Sequence, residues 1–168
     1  MIESLRDART AAALILLAAL GTIAGALVFE HLFGLRPCPL CLTQRYPYYA
    51  AMAVALATVL FPRPPWGRVG LVVLALIFLG SAGLGAYHAG VEWGWWPGPN
   101  DCAGAPTPTA GSVSDFLNQL QTTRVVSCTE AAWRLFGLSL AGWNVVISLG
   151  LAGLAVAAQS GSRRASRT

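Results

Sequence analysis

Four long apolar stretches alternate with shorter segments that hold nearly all of the charged residues of this chain. A helix needs roughly 20 apolar residues to cross the hydrocarbon core of a bilayer. The stretches therefore predict transmembrane helices over about residues 11–29, 42–61, 69–87 and 138–158. This pattern is typical of an all-α membrane protein, here a four-helix transmembrane bundle over residues 11–158.

The first apolar stretch follows Arg6 and Arg9, much as the apolar region of a cleaved signal peptide follows its basic start. It is longer than the roughly 7–15 residues of such a region, and no clear small-residue cleavage site comes after it. We therefore expect this helix to be retained.

The composition agrees with a membrane protein. Hydrophobic residues make up 55% of the chain and charged residues 11%, with a mean hydropathy of +0.59. A soluble domain would carry about a quarter charged residues. The net charge of +4 does not indicate nucleic-acid binding, because the arginines that carry it are scattered and form no basic stripe.

The arginines predict the orientation of the bundle. With the N-terminus inside, the inner segments hold seven arginines and two acidic residues, and the outer segments hold four arginines and five acidic residues. Positive charge concentrates on the cytoplasmic side of membrane proteins. Residues 1–10 and 159–168 are therefore predicted to be cytoplasmic, and residues 30–41 and 88–137 form the outer loops.

The longer outer loop contains a predicted short helix from Ser112 to Leu120, with its apolar residues on one side. Such a helix can lie in the membrane interface with its apolar face in lipid. It can equally pack on the mouth of the bundle, and both interpretations stay open.

Glycines recur within the predicted helices. Small residues let helix backbones approach one another inside lipid, where hydrophobicity does not drive association. We therefore expect helix–helix contacts at Gly21, Gly25, Gly80, Gly83, Gly85, Gly150 and Gly153.

All four cysteines fall in the outer loops, where disulfides persist. Cys38 and Cys41 lie in the first loop, and Cys102 and Cys128 lie in the second. A zinc site is not expected, because only the first pair has the spacing of a zinc knuckle.

A Cys102–Cys128 bridge would stabilise its loop by roughly 3–4 kcal/mol, but a Cys38–Cys41 bridge closes almost no loop. The closely spaced pair instead has the usual geometry of a redox-active dithiol.

Arg45 follows the first cysteine pair closely. If the second helix begins near Leu40, Cys41 lies in its first turn, where free N–H groups favour a thiolate, and Arg45 lies one turn further on. Pro47 complicates this prediction, because the helix must either kink there or begin there. In the second case the shared face of Cys41 and Arg45 is lost.

Thiols at the outer surface of a membrane need an electron acceptor, and the bilayer supplies lipid-soluble quinone. Arg45 can hydrogen-bond a quinone oxygen and stabilise the reduced form, although a lipid phosphate is the alternative partner. His88, at the outer end of the third helix, is a weaker candidate for a quinone contact, since a hydrogen bond to lipid headgroups is the favoured interpretation. Glu30 and Glu92 are expected to be solvated helix ends.

Taken together, these residues resemble the bacterial disulfide-bond formation protein B (DsbB) family. The resemblance rests on Cys38-Pro39-Leu40-Cys41 followed by Gln44-Arg45, on four predicted spans, on a cysteine pair in the second outer loop, and on Trp133…Phe136-Gly137-Leu138-Ser139 before the last helix. It covers about residues 11–158. It implies a bacterial inner-membrane protein whose cysteines face the periplasm.

The resemblance also implies an electron relay. A reduced DsbA-like protein with a thioredoxin fold would exchange with the Cys102–Cys128 disulfide through Cys102. Electrons would then pass to Cys38 and Cys41, and from Cys41 to ubiquinone or menaquinone beside Arg45. The activity implied is that of a protein-disulfide oxidoreductase that reduces quinone.

Two other functions are compatible with parts of this pattern. A vitamin-K-epoxide-reductase-like bundle also couples thiols to quinones, but its membrane cysteine pair comes late in the bundle, and here the pair comes early. A membrane scaffold or small transporter with structural disulfides is the other rival. Transport paths usually place charges within helices, and the predicted helices have no charge at mid-length.

Overall fold

The computed structural model describes residues 7–35, 37–99, 114, 128–131 and 133–165. The described chain is almost entirely helical, and its only strands form one short hairpin. In chain order the elements are α1 (Ala8–His31), α2 (Pro39–Thr43), α3 (Arg45–Leu60), α4 (Trp66–Glu92), β1 (Arg134–Leu135), β2 (Leu138–Ser139) and α5 (Leu140–Ala165).

Three of these helices are long and apolar enough to cross a membrane: α1, α4 and the Leu140–Ser160 part of α5. Helix α3 has 16 residues, which corresponds to about 24 Å at the usual rise per residue. The described residues thus hold three candidate spans, and a crossing by α3 stays a prediction. Large apolar side chains such as Leu17 and Leu76 point outward from the helices, at 65% and 63% exposed, as expected for residues in contact with lipid.

Buried alanines line the contacts between the helices. Helix α1 packs on α3, α3 on α4, and α4 on α5. Ala11, Ala51 and Ala155 are fully buried in the core that these helices share. Of the seven glycines predicted at contacts, only Gly85 is close to another helix, since a Cβ atom there would lie 3.0 Å from Val145 Cγ2. The prediction is wrong for the other six, which have no atom within 4 Å of such a Cβ.

The second predicted helix is divided in two. Helix α2 ends at Thr43, Gln44 forms a turn, and α3 begins at Arg45. Pro47 neither kinks the helix nor starts it. Because Pro47 lies in the first turn of α3, where N–H groups have no helical partner, its missing N–H costs nothing.

Helix α4 continues to Glu92, five residues beyond the predicted end at residue 87. It stops where Gly94 takes a positive φ of 72°, and the N–H of Trp95 returns to the carbonyl of Gly90. His88 and Glu92, expected at or beyond the helix end, are therefore held inside a helix and packed against its neighbours.

A tight hairpin introduces α5. Phe136 and Gly137 both have positive φ, 51° and 82°, which is the backbone of a two-residue type I′ turn. Ser139 then accepts a hydrogen bond from the N–H of Gly142 at its Oγ, 3.1 Å away, and so caps the helix. The predicted helix at Ser112 to Leu120 lies outside the described residues, apart from Ser114.

Candidate active site

The Cys-Pro-Leu-Cys sequence forms the start of α2. Cys38 is the N-cap, Pro39 occupies the first helical position, and Cys41 lies three residues after the cap. Proline suits the first position because its φ is already helical and no N–H is needed there. The sulfur of Cys38 accepts a hydrogen bond from the N–H of Cys41 at 3.2 Å, in the way a serine or aspartate cap would.

Both cysteines of this pair are free thiols in the structure, and their sulfurs lie 2.8 Å apart. The Cys41 thiol and the Cys41 backbone N–H both stabilise negative charge on Cys38. The hydrogen bond from Cys41 is the largest cause, and together with His88 it lowers the pKa of Cys38 from 9.0 to about 5 against the opposing effect of burial. The same shared hydrogen bond, with burial, raises the pKa of Cys41 well above its ordinary value. Negative charge on the dithiol is therefore favoured at Cys38, chiefly by the hydrogen bond from the Cys41 thiol, whereas sequence reasoning placed it on Cys41.

His88 lies against Cys38. Its side chain is buried, with only 3% of the residue exposed, and Nε2 is 3.7 Å from Cys38 Sγ. On the other side of the ring, Nδ1 is 2.6 Å from Gln44 Nε2. The headgroup contact considered for His88 is therefore wrong, since the ring is enclosed beside the cysteine pair.

Gln44 connects this ring to the interior of the bundle. Its Oε1 accepts a hydrogen bond from Asn144 Nδ2 of α5 at 2.6 Å. Asn144 Oδ1 in turn accepts one from the hydroxyl of Tyr48 at 2.7 Å, and Tyr48 and Asn144 both lie near Ser148. A connected set of polar side chains thus runs from Cys38 into an otherwise apolar core.

Glu92, one turn after His88 on α4, is buried as well. Its side chain is 5% exposed, and Oε1 lies 3.8 Å from His88 Nε2. The second oxygen, Oε2, has no hydrogen-bond partner among the described residues. The prediction of a solvated helix end is wrong for Glu92, because the extra turn of α4 carries it under the cysteine loop.

Cys128 approaches the first cysteine pair from the second loop. It is fully buried and packs with Cys38 and Val91, and its sulfur lies within 4.8 Å of both Cys38 Sγ and a ring nitrogen of His88. Cys128 is disulfide-bonded, so it offers no thiolate to a metal ion in this state. The close sulfur atoms are instead suited to thiol–disulfide exchange. Cys102 lies outside the described residues.

Arg45 forms an ion pair with Glu30 of α1, with Arg45 NH1 2.7 Å from Glu30 Oε2. The side chains are only 13% and 26% exposed, so Glu30 is a partner of the arginine and not a solvated helix end. This pair holds the guanidinium group in place, one turn of chain beyond Cys41.

A cavity of about 280 Å³ brings these groups together. Its walls come from the cysteine loop and from the ends of α1, α3, α4 and α5 that lie next to that loop. The polar groups on its surface include Cys38, Cys41, Gln44, Arg45, His88 and Glu92. Gly21 and Gly25 form part of the α1 wall, and their missing side chains keep it open. Apolar walls with a few convergent polar groups are typical of a ligand site.

Comparison with known families agrees with the sulfur geometry. The family model described as disulfide bond formation protein DsbB matches residues 8–158. The chain belongs to the DsbB family. Disulfide bond formation protein B of Marinobacter nauticus is 33% identical over 138 residues, which are 79% of this chain and 80% of that protein. The protein of the same name from Xanthomonas euvesicatoria is 33% identical over 157 residues, 89% of each chain.

Membership in the DsbB family and the apolar helices make this a bacterial membrane protein of disulfide-bond formation, an oxidoreductase. The structure brings together four of the sequence-predicted site residues: Cys41 lies beside a buried cluster of Cys38, His88 and Cys128. Arg45 lies on the same cavity wall as Cys41.

Sequence reasoning missed the roles of Gln44, Tyr48, Asn144 and Glu92. A signal for Asn144 was available, since a carboxamide within a long apolar helix is costly in lipid unless it has a partner. No pattern in the sequence indicates that this partner is Gln44, which lies 100 residues away.

Proposed function

We propose that this DsbB-family protein is a thiol:quinone oxidoreductase of the bacterial inner membrane. In this proposal it reoxidises a DsbA-like dithiol protein of the periplasm. The observation that carries the proposal is the position of Cys38. Its sulfur lies within 4.8 Å of disulfide-bonded Cys128 and 2.8 Å from Cys41, on the wall of a cavity that also contains Arg45.

The proposed exchange begins at the loop disulfide. A thiolate of the partner attacks Cys102, the Cys102–Cys128 bond breaks, and Cys128 leaves as a thiolate. Cys128 then attacks Cys38 of the oxidised first pair, which releases Cys41 as a thiolate. The distance between Cys38 and Cys128 supports this order, because Cys38 is the buried member that faces the loop cysteine.

The remaining steps complete the exchange, and the total number of disulfide bonds in the two proteins stays the same. The second thiolate of the partner attacks its mixed disulfide and frees Cys102, and Cys102 attacks Cys128 and releases Cys38. The partner is left oxidised, and Cys38 and Cys41 are left as a dithiol. The free thiols at Cys38 and Cys41 and the bonded state of Cys128 correspond to this stage.

The residues around the cavity fit a quinone head group, which is a flat ring with carbonyl oxygens at opposite ends. Phe29 and Ile147 line the cavity with apolar side chains, and the glycines of α1 leave space for the ring. Arg45 supplies a fixed cation. Glu92 Oε2, which lacks a partner among the described residues, is a buried acceptor on the same wall. When bound, a quinone supplies an acceptor for two electrons and two protons.

The chain supplies the sulfur and the electrostatics for that transfer. Cys41 is the less buried of the two cysteines and lines the cavity, so it is the group that faces the acceptor. Arg45 stabilises negative charge on the acceptor oxygen, and Glu30 keeps the guanidinium aligned. The disulfide between Cys38 and Cys41 is restored as the electrons leave.

The proposed topology places both termini in the cytoplasm and the cysteines in the periplasm. The support is the arginine distribution, with seven arginines in the inner segments and four in the outer ones. An oxidising compartment for Cys128 is consistent with its disulfide.

The test uses the purified full-length protein, a reduced thioredoxin-fold dithiol protein and a short-chain quinone under anaerobic conditions. We expect the ultraviolet absorbance of the oxidised quinone to fall only when both substrates are present. Cys41→Ser should abolish this loss, and Cys128→Ala should accumulate a covalent adduct through Cys102 on a non-reducing gel. Unchanged turnover in Cys41→Ser, or no adduct in Cys128→Ala, would exclude the relay.

A further inference from the structure

A chain of directed hydrogen bonds leads from the middle of the bundle to His88. The hydroxyl of Tyr48 donates to Asn144 Oδ1 at 2.7 Å, and Asn144 Nδ2 donates to Gln44 Oε1 at 2.6 Å. Gln44 Nε2 then lies 2.6 Å from His88 Nδ1. Four residues, on α3, α4, α5 and the turn between α2 and α3, are thereby connected in one sequence of contacts.

The direction of this chain is set by a backbone carbonyl. Asn144 Nδ2 also donates to the carbonyl oxygen of Ser81 at 3.5 Å, and a carbonyl oxygen can only accept. The NH₂ end of the Asn144 amide must therefore face Ser81 and Gln44. This leaves Asn144 Oδ1 for the Tyr48 hydroxyl, and it requires Gln44 to present its oxygen to Asn144 and its NH₂ group to His88.

An NH₂ group has no lone pair to offer, so His88 Nδ1 must be the acceptor of the bond from Gln44. In the neutral ring the single proton is then on Nε2. That nitrogen faces the sulfur of Cys38 at 3.7 Å and Glu92 Oε1 at 3.8 Å. The ring thus presents its Nε2–H as a donor to the sulfur of Cys38, while Nδ1 accepts the hydrogen bond from Gln44.

We propose that Asn144 and Gln44 are positioning residues that hold His88 in the Nε2–H tautomer, as a fixed hydrogen-bond donor to Cys38 and not as an acceptor of the thiol proton. The use of this donor in disulfide exchange rests on the proposed function. The tautomer itself follows from the geometry alone.

The negative groups beside the ring, Cys38 when ionised and Glu92, both lie at Nε2, whereas Nδ1 faces the NH₂ group of Gln44, which offers no acceptor for a second proton. Helix α5 contributes Asn144, which is uncharged, and Cys128 is bonded and does not titrate. Arg45 and Glu30 neutralise one another across the cavity. The charged or titratable groups that line the cavity with the ring include, from the helices and the cysteine loop, Glu30, Cys38, Cys41, Arg45 and Glu92, and, from the second loop, Glu130.

The test is nitrogen NMR of the full-length reduced protein, labelled with ¹⁵N-histidine in detergent micelles. The chain contains two histidines, so a His31→Gln background leaves His88 as the single labelled residue. We expect a protonated, pyrrole-type Nε2 and an unprotonated, pyridine-type Nδ1 at neutral pH. The opposite tautomer, or two protonated nitrogens, would overturn the proposal.

Two substitutions test the chain that sets the tautomer. Asn144→Leu is similar in size but removes both amide contacts, and it should convert the single tautomer into a mixture. Gln44→Glu places a carboxylate beside Nδ1, which should yield a ring protonated on both nitrogens. An unchanged spectrum in both variants would show that Asn144 and Gln44 do not set the tautomer.

Tyr48→Phe and Thr58→Val form a matched pair, since each removes a buried hydroxyl from α3. Tyr48 donates to Asn144, whereas Thr58 donates to the carbonyl of Val54 within the helix. Because the contact with Ser81 still fixes the Asn144 amide, we expect one tautomer in both variants, with the His88 nitrogen signals shifted only in Tyr48→Phe. A mixture of tautomers in both variants would indicate a general loss of packing. Should Asn144→Leu fail to fold, the parent and Gln44→Glu spectra still decide the question. If the parent tautomer is as stated but no thiol oxidation occurs, the proposed function fails and this inference stands.

Discussion

His88 Nε2 lies 3.7 Å from the sulfur of Cys38, although 50 residues separate them in the chain. The contact exists because α4 continues beyond residue 87 and so passes beneath the cysteine loop. It gives the thiolate a donor from a second helix, in addition to the backbone N–H of Cys41. The reduced pair is therefore asymmetric, with its negative charge on the buried sulfur.

This asymmetry predicts a distinct pH titration. The thiolate absorbance of the reduced protein, measured as the difference from a Cys38→Ser variant, should have a midpoint near pH 5, where the pKa of Cys38 is lowered by Cys41 and His88. His88→Phe should move the midpoint upward, because one donor is lost. A midpoint near 9.0, the ordinary value for a thiol, would contradict the arrangement.

The same shifts predict how stability depends on pH. The pKa of Cys38 is lower in the folded protein than in the unfolded chain, so stability should rise as pH increases from about 5 to 9.0. The pKa of Cys41 is raised, so above pH 9.0 the unfolded chain loses that proton first and stability should fall. Thermal unfolding of the reduced protein across this range measures both limbs. In Cys38→Ser the rising limb should disappear.

Arg45 is predicted to strengthen the binding of quinone. Removing a hydrogen bond to a charged group costs about 1.5–3 kcal/mol, so Arg45→Ala should raise the apparent KM for quinone roughly 10- to 100-fold. Arg45→Lys should retain part of the binding, since it keeps the charge but loses the planar fork. Glu30→Gln should give a smaller rise, because the guanidinium keeps its charge and loses only its alignment. An unchanged KM in Arg45→Ala would remove this residue from the site.

The open wall of the cavity offers a test that leaves every polar group intact. Gly25 lines the cavity, and a Cβ atom there meets no atom within 4 Å. Gly25→Leu should therefore fill the space and weaken quinone use, on the order of tenfold in KM, or about 1.4 kcal/mol. Gly83→Leu is the matched control, since Gly83 also faces open space but does not line the cavity. Equal effects of the two substitutions would argue against a quinone in the cavity.

Glu92 is predicted to disfavour the thiolate form of Cys41. Its carboxylate is one of the causes that raise the pKa of the Cys41 thiol, although the hydrogen bond to Cys38 and burial are larger. Glu92→Gln keeps the shape of the side chain and removes its charge, so Cys41 should ionise at lower pH. Stopped-flow oxidation of the reduced protein by quinone should then reach its maximum at lower pH. If the profile does not move, Glu92 acts on neither cysteine.

Much of the architecture follows from local pattern. The apolar stretches predicted the helices because a backbone in lipid must satisfy its hydrogen bonds within itself. The helix ends were harder to predict. Gln44 separates α2 from α3, and Gly94 follows the end of α4. Residues of these types also occur within helices, so the surrounding packing decides whether a helix ends there.

The cysteine spacing and the arginine beside it are short-range features, and the sequence by itself determined that they carry thiol chemistry at a membrane. Which sulfur holds the charge depends on the folded geometry, because Cys38 must meet both the Cys41 thiol and His88 of α4, and only the tertiary structure brings the second of these. Likewise, Gln44 contacts His88, which lies 44 residues further along the chain, and Asn144, which lies 100 residues further along. A hydrogen bond depends on position and angle within a few tenths of an ångström, and only the packing of α3, α4 and α5 supplies that precision.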